Sequence, residues 1–210
     1  MAYTNIDDPS AFFHTQLYAG NGSTQSITND GNSDLQPDLL WIKSRSDSSF
    51  NALTDSTRGT SKRIYSNSTA AEESHADRVT AFNSDGFSLG GSSLVNTNNY
   101  NYAAWQWKAN GGTTAANSDG SLASVVQADT TAGFSIVTWT GAGGVRTVGH
   151  GLGVAPDVII VKNRSTSTQW GVWHKNLADT DKNLRINSTS AEVDDALWND
   201  TVPTSSVFSI

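Results

Sequence analysis

One pattern occurs twice in this chain, and it constrains everything else. Pro37-Asp38-Leu39-Leu40-Trp41-Ile42-Lys43-Ser44-Arg45 returns 119 residues later as Pro156-Asp157-Val158-Ile159-Ile160-Val161-Lys162-Asn163-Arg164. Proline presets a turn and cannot donate to a β-ladder, so each strand should begin just after it. Four apolar residues follow, as in a strand covered on both faces. The Lys and Arg then return the chain to solvent. Flanking markers repeat in the same order. Asn67-Ser68-Thr69 recurs as Asn187-Ser188-Thr189, a shift of 120, and Phe87-Ser88-Leu89 recurs as Phe208-Ser209-Ile210, a shift of 121. Phe50 aligns with Trp170, and Ile64 with Leu184 or Ile186. A spacing that drifts by single residues is what a diverged duplication leaves, so the chain should contain two copies of one folding unit.

Each unit reads as antiparallel β-structure. Short runs of apolar and aromatic residues, such as Phe134-Ser135-Ile136-Val137-Thr138-Trp139-Thr140, are separated by Gly, Asn, Asp and Ser turns. Val79-Thr80-Ala81-Phe82, a turn at Asn83-Ser84-Asp85-Gly86 and Phe87-Ser88-Leu89 form a hairpin signature. Asn67–Glu73 fits either a capped helical turn or an extended loop. Gly141-Ala142-Gly143-Gly144 lacks the Lys and Ser/Thr of a phosphate loop and reads as a hairpin turn returning to Val145–Val148. Tyr102-Ala103-Ala104-Trp105-Gln106-Trp107-Lys108 closes the first unit, with Trp105 and Trp107 on one face. The expected fold class is all-β, two tandem antiparallel β-sandwiches. The expected division is an N-terminal arm at 1–10, a first repeat at 11–109, a linker at 110–129 and a second repeat at 130–210.

The copies differ at their ends. The first continues past Phe87 to the Tyr102–Trp107 strand, while the second reaches only Ile210. The second copy therefore lacks a closing strand. An open apolar edge of that kind is normally covered or paired. Either a neighbouring chain adds the strand or a longer chain contains it, and Phe208 and Ile210 mark the expected assembly edge.

Composition excludes several functions. The formal charge is −7 with no basic cluster, which disfavours a phosphate backbone as partner, so no nucleic acid is expected. There is no cysteine, hence no disulfide framework and no thiolate metal site. The first residues lack a signal-peptide pattern, and no apolar run reaches membrane-spanning length. Manufacture in the cytoplasm without membrane insertion is the expectation.

No catalytic constellation stands out, and no catalytic residue, cofactor or metal is assigned. His150, flanked by Gly149 and Gly151, fits a locally bonded turn residue better than a ligand or general base. Glu192, Asp194, Asp195 and Asp200 surround Trp198 without the spacing of a calcium loop and read as a solvated acidic loop. The aromatics are the stronger candidates. Trp170 and Trp173 stand three apart in a strand, on opposite faces. Either both sheet faces are covered, or an exposed tryptophan stacks on sugar or partner groups. Trp170, Trp173 and Trp198 are the candidate contacts.

Phe134–Gly141, Val148-Gly149-His150-Gly151-Leu152-Gly153-Val154-Ala155-Pro156 and Val158–Arg164 resemble a repeat of bacteriophage virion structural proteins, especially those of marine phages. Pro37–Arg45, Asp55-Ser56-Thr57-Arg58-Gly59, Phe82–Leu89 and Tyr102–Lys108 are similar to the same group. The resemblance implies lectin-like sandwiches of jelly-roll or concanavalin-like type in a tail-fibre or tail-associated protein. It implies a non-enzymatic role in host attachment through surface glycans, in a homo-oligomer such as a trimer, among other virion proteins. A capsid-decorating or fibre-anchoring protein is the alternative, and a polysaccharide depolymerase a third. Members of the group run on to a Tyr-Val-Ala closing strand, where this chain departs from them.

Overall fold

The computed structural model describes residues 6–210 and is almost entirely antiparallel β-structure. The expected N-terminal arm lies partly outside the described residues; Pro9–Ala11 form a 3-10 turn capped by the Asp8 carboxylate. The chain divides into two compact units, one of Met1–Ser66 and Glu72–Gly112, the other of Asn67–Ala71 and Thr113–Ile210.

Unit 1 contains β1 (Phe13–Ala19), β2 (Gln25–Ile27), β3 (Leu39–Ser44), β4 (Ala52–Asp55), β5 (Lys62–Tyr65), β6 (Glu73–Ser74), β7 (Val79–Phe82), β8 (Phe87–Leu89), a one-turn helix α1 (Ser93–Asn96) and β9 (Asn101–Trp107). One sheet has the order β1-β9-β3-β4-β5-β6 and the other β2-β8-β7. Ile27, Val79, Phe87 and Leu89 of the small sheet share a core with Leu40, Ile42, Ala52, Tyr102 and Ala104 of the large one. Removing a side chain the size of Leu40 or Phe87 from water contributes about 2–3 kcal/mol. The β7–β8 turn needs Gly86: its φ is +96°, and a Cβ there would run into the Ile27 carbonyl.

The first Pro-Asp strand, β3, is central. It pairs with β4 on one side and β9 on the other. Its alternate residues Leu40 and Ile42 are buried, whereas Leu39 and Trp41 are half-buried on the opposite face. Asp38 fastens the strand that follows it in space. Its buried carboxylate accepts the Ser56 hydroxyl at 2.7 Å and the backbone N–H groups of Ala109 (2.7 Å), Gly111 (2.9 Å) and Gly112 (2.8 Å). The turn leaving β9 is thereby bound to the turn entering β3. Nearby, the buried Arg58 guanidinium pairs with Asp55 and Glu72 and holds the β4–β5 loop.

Unit 2 contains β10 (Ala115–Asn117), β11 (Ser124–Asp129), β12 (Phe134–Trp139), β13 (Thr147–Gly149), β14 (Val158–Val161), β15 (Gly171–His174), β16 (Lys182–Asn183), β17 (Val193–Asp194) and β18 (Val207–Ser209). Its pairings are β10-β11-β12, β13-β18, β14-β15 and β16-β17, with isolated bridges joining Leu122 to Val148 and Val172 to Leu184. Residues 110–129 are therefore not a linker. Val125 and Val126 are paired across β11 with Thr138 and Val137, and Gln127 and Ser124 are buried. Small and polar residues give 110–121 the composition of a linker, yet Ala115–Asn117 and Ser124–Asp129 are paired in a sheet. Gly141–Gly144 also differ from expectation. They connect strands of two different sheets, since β12 pairs with β11 and β13 with β18. Asn67–Ala71 take the extended alternative: Ser68 Oγ accepts the Ala70 N–H, and no helix forms.

The duplication extends to individual bonds. Lys43 Nζ donates to the Ser44 and Asp47 carbonyls, and Lys162 Nζ to those of Asn163 and Thr166. Leu39 faces Asp55 and Val158 faces His174, each shifted by 119. Lys62 faces Ser74 and Lys182 faces Asp194, each shifted by 120. Tyr18 meets Phe87 edge-on at 5.9 Å, and Trp139 meets Phe208 edge-on at 5.6 Å, each shifted by 121.

The Pro-Asp carboxylates have diverged in burden. Asp157 is exposed and pairs with Lys175 Nζ at 2.7 Å. Asp38→Ala should cost about 3 kcal/mol, because it orphans several buried backbone donors, whereas Asp157→Ala should stay within about 0.5 kcal/mol. Urea denaturation of the two variants checks the contrast.

Candidate functional site

Strand alternation gives unit 1 a second apolar face. In β1, β9 and β3 the residues that alternate with the core set point outward. Thr15 faces Trp105, and Trp105 faces Trp41; Phe13 faces Trp107, and Trp107 faces Leu39. Four aromatic rings thus lie on one face of three adjacent strands. Phe13 and Trp107 have ring centroids 5.0 Å apart; Trp41 lies 6.1 Å from Trp105 and 6.4 Å from Trp107. These separations are within the favourable range for aromatic pairs. The tryptophans are half-buried, Phe13 is 40% exposed, and Leu17 on the same face is 54% exposed.

The rigidity of the face comes from the sheet beneath it. β9 is hydrogen-bonded on both edges, and the buried Tyr102, Ala104 and Gln106 anchor it from below. Tyr18 stacks on Tyr102 at 5.1 Å, and its hydroxyl donates to the Val95 carbonyl at 2.7 Å. Burial, reinforced by Tyr102, raises the Tyr18 phenol well above its ordinary value, so it stays a neutral donor. The rings therefore sit on a sheet whose central strand is bonded on both edges. Such a platform offers flat dispersion surfaces to an apolar ligand face.

The tryptophans expected to make contacts lie elsewhere. Trp170, Trp173 and Trp198 are all buried. Trp170 donates its indole N–H to the Ser68 carbonyl at 3.1 Å, inside unit 2. Trp173 and Trp198 join Val148, Ile159 and Phe208 in the core of that unit. Three-residue spacing put Trp170 and Trp173 on opposite faces, but Trp170 precedes β15 and is covered by the Asn67–Ala71 segment assigned to unit 2. Phe208 is buried too, in β18 against Val148 of β13, and Ile210 exchanges two backbone bonds with Arg146, each 2.9 Å long. The Phe208–Ile210 stretch is a paired strand end.

The outward aromatic face was partly legible. Trp105 and Trp107 two residues apart placed them together. Phe13 and Trp41 were missed, because their neighbourhood depends on β1 and β3 flanking β9, a pairing of distant segments.

Among the remaining polar candidates, His150, Asp194 and Asp195 have structural partners. His150 is buried; its Nδ1 accepts the Leu152 N–H at 3.2 Å, and its Nε2 lies 3.2 Å from the Thr204 carbonyl. That pair of partners fits the neutral ring protonated at Nε2. Asp194 pairs with Lys182 at 3.3 Å. Asp195 caps the 3-10 turn Ala196–Trp198 and accepts from Asn183. Among the described residues, no group of three His, Cys, Asp or Glu side chains could hold a metal ion. No described helix is long and apolar enough to cross a membrane. A cavity of about 310 Å³ in unit 2 is lined by Trp173, His174, Lys175, Asp179, Thr180 and Val202, among others; its Trp173 is nearly covered.

A family model described as a domain of unknown function, DUF7483, matches residues 8–210. Neither a curated protein nor a solved structure matches the chain.

Burial lowers the His150 pKa below its ordinary 6.5, against a smaller raising effect of the Thr204 bond. The unfolded chain therefore binds the extra proton first as pH falls, so stability is full above about pH 6.5 and is lost as pH drops toward the lowered value. Thermal melts between pH 7.5 and 5 should show this decline, and His150→Gln should flatten it.

Proposed function

This chain belongs to the DUF7483 family, and we propose that it is a non-enzymatic structural and attachment module of a phage virion, tail-fibre or tail-associated, that binds host-surface glycans. The observation that carries this reading is the outward aromatic face of unit 1, formed by Phe13, Trp41, Trp105 and Trp107. Sugar rings present patches of C–H groups that lie flat on aromatic faces, and a rigid sheet presents such faces at little entropic cost. The low charge content fits a neutral ligand: only 16% of residues are charged, so hydroxyls and amides dominate the polar surface. The motif resemblance to virion proteins and the all-β, lectin-like sandwich reading of the two units point the same way.

One shallow aromatic platform binds weakly. A module of this kind acts through repetition: in a symmetric oligomer, each additional contact becomes effectively intramolecular, and avidity rises by orders of magnitude. The protein's own contribution is then geometric. It holds the rings, inclined to one another, on one face of a sheet and repeats them at a fixed spacing.

Purified protein should bind host cells or members of a broad glycan panel. Trp105→Ala and Phe13→Ala should each reduce that binding about tenfold, with circular dichroism unchanged, as expected when one ring worth about 1.5 kcal/mol is removed. No binding by the parent protein to any host cell or glycan would sink the reading.

A further inference from the structure

We propose that the outer aromatic face of unit 1 takes an uncharged glycan chain that runs across the strands, from Phe13 on β1 to Trp41 on β3, with Thr15 selecting among its hydroxyls. This inference rests on the glycan reading above and adds the ligand's charge, reach and direction to it. The four rings form one path. Phe13 lies 5.0 Å from Trp107, Trp107 lies 6.4 Å from Trp41, and Trp41 lies 6.1 Å from Trp105. Phe13 belongs to β1, Trp105 and Trp107 to β9 and Trp41 to β3, so the path from Phe13 to Trp41 crosses the strands. Trp107 and Trp41 are the pair nearest to parallel, inclined by 30°, whereas Phe13 meets Trp107 at 56° and Trp105 meets Trp41 at 65°. One sugar ring cannot be centred on two indoles 6.4 Å apart, but two rings joined through a single bridging oxygen can rest on both. Phe13 and Trp105 then touch the chain obliquely from its sides.

Burial sets the length of the path. β1 is the outermost strand of its sheet, and Phe13 and Leu17 on it are exposed. On the other side, the residue that faces Trp41 is Leu53 of β4, and it is buried. A ligand can therefore pass over the sheet edge beyond Phe13 but not beyond Trp41. Contact stops growing once about three sugar rings are bound, one for each strand crossed.

Charge sets the class of sugar. Besides the rings, the outward positions of these strands are Thr15, Leu17, Ala19, Asn101, Ala103 and Leu39, and the one ionised side chain among them is Lys43. The Lys43 ammonium already donates to the Ser44 and Asp47 carbonyls, at 2.6 and 3.0 Å. A carboxylate or sulfate laid on this face would lose water without gaining a cationic partner. The chain's net charge of −7 adds long-range repulsion of polyanions. Aromatic faces also attract ammonium groups, but no outward position on these strands carries a carboxylate to complete a cation site. A neutral ligand with C–H faces and hydroxyls matches what is left. Thr15 faces Trp105, is exposed, and has the one hydroxyl among these positions, so its Oγ is placed to bond a sugar hydroxyl.

The test uses the full chain and straight-chain oligomers of glucose, mannose and N-acetylglucosamine of increasing length, with oligogalacturonates of matched length and choline beside them. Titration followed by tryptophan fluorescence should give, in at least one neutral series, an affinity that rises about tenfold with each ring up to about the third and then levels off, the gain expected from one further aromatic contact. Phe13→Ala, at an exposed position, should bring the levelling-off one ring earlier. Thr15→Val should lower the affinity about threefold, as for one lost hydrogen bond, with the length dependence intact. Neutral oligomers bound without regard to length, tighter binding of oligogalacturonates or choline, or host-cell binding with no neutral series bound would each overturn this inference. Only the absence of all cell and glycan binding would take the glycan reading with it.

Discussion

Insertion of β9 between β1 and β3 is the contact on which unit 1 depends. β1 and β3 run parallel, and nothing local brings them together. β9 comes from residues 101–107 and bonds to both along its whole length. It carries Tyr102, Ala104 and Gln106 into the core and Trp105 and Trp107 to the outer face. The Asp38 carboxylate then locks the turn that leaves it. Core, platform and clasp are three consequences of one strand placement. Because β1 and β9 are far apart in sequence, this closure is entropically late and should follow assembly of the more local β3-β4-β5 and β7-β8 pairs.

Unit 2 repeats parts of the same blueprint, and among the described residues β12 pairs with β11 and β14 with β15. The lysine that satisfies its own strand-end carbonyls persists as Lys43 and Lys162, and so does the edge-on ring pair beneath the sheets. The hydrophobic cluster around Val148, Ile159 and Phe208 has fewer fully buried members than its counterpart around Leu40, Phe87 and Tyr102. Two further strands, β10 and β11, build β12 into a three-stranded sheet.

Much of this was legible in the sequence, and the failures share a cause. The repeat and the strand after each proline follow from order and spacing. Burial of Trp170 and Trp198 did not, because it depends on segments remote in sequence: Ser68 accepts the Trp170 indole, and the Trp198 ring closes a core built from β13, β14 and β18. The composition of residues 110–129 was misleading for a physical reason. Ala, Ser, Asn and Gly do not announce a strand, since a strand held by its backbone bonds on a sheet edge needs little from its side chains.

By itself, the sequence determined an all-β chain with a duplicated motif and turns at its Gly, Asn and Asp clusters. These are properties of local chemistry and of order along the chain, which residue type and spacing record directly. Only the tertiary structure decided which aromatics are core and which are surface. It placed Phe13, Trp41, Trp105 and Trp107 side by side and buried Trp170, Trp173 and Trp198. Alternation along a strand says that two residues share a face. Which face meets the core is set by the other sheet, and that is a contact between residues far apart in sequence.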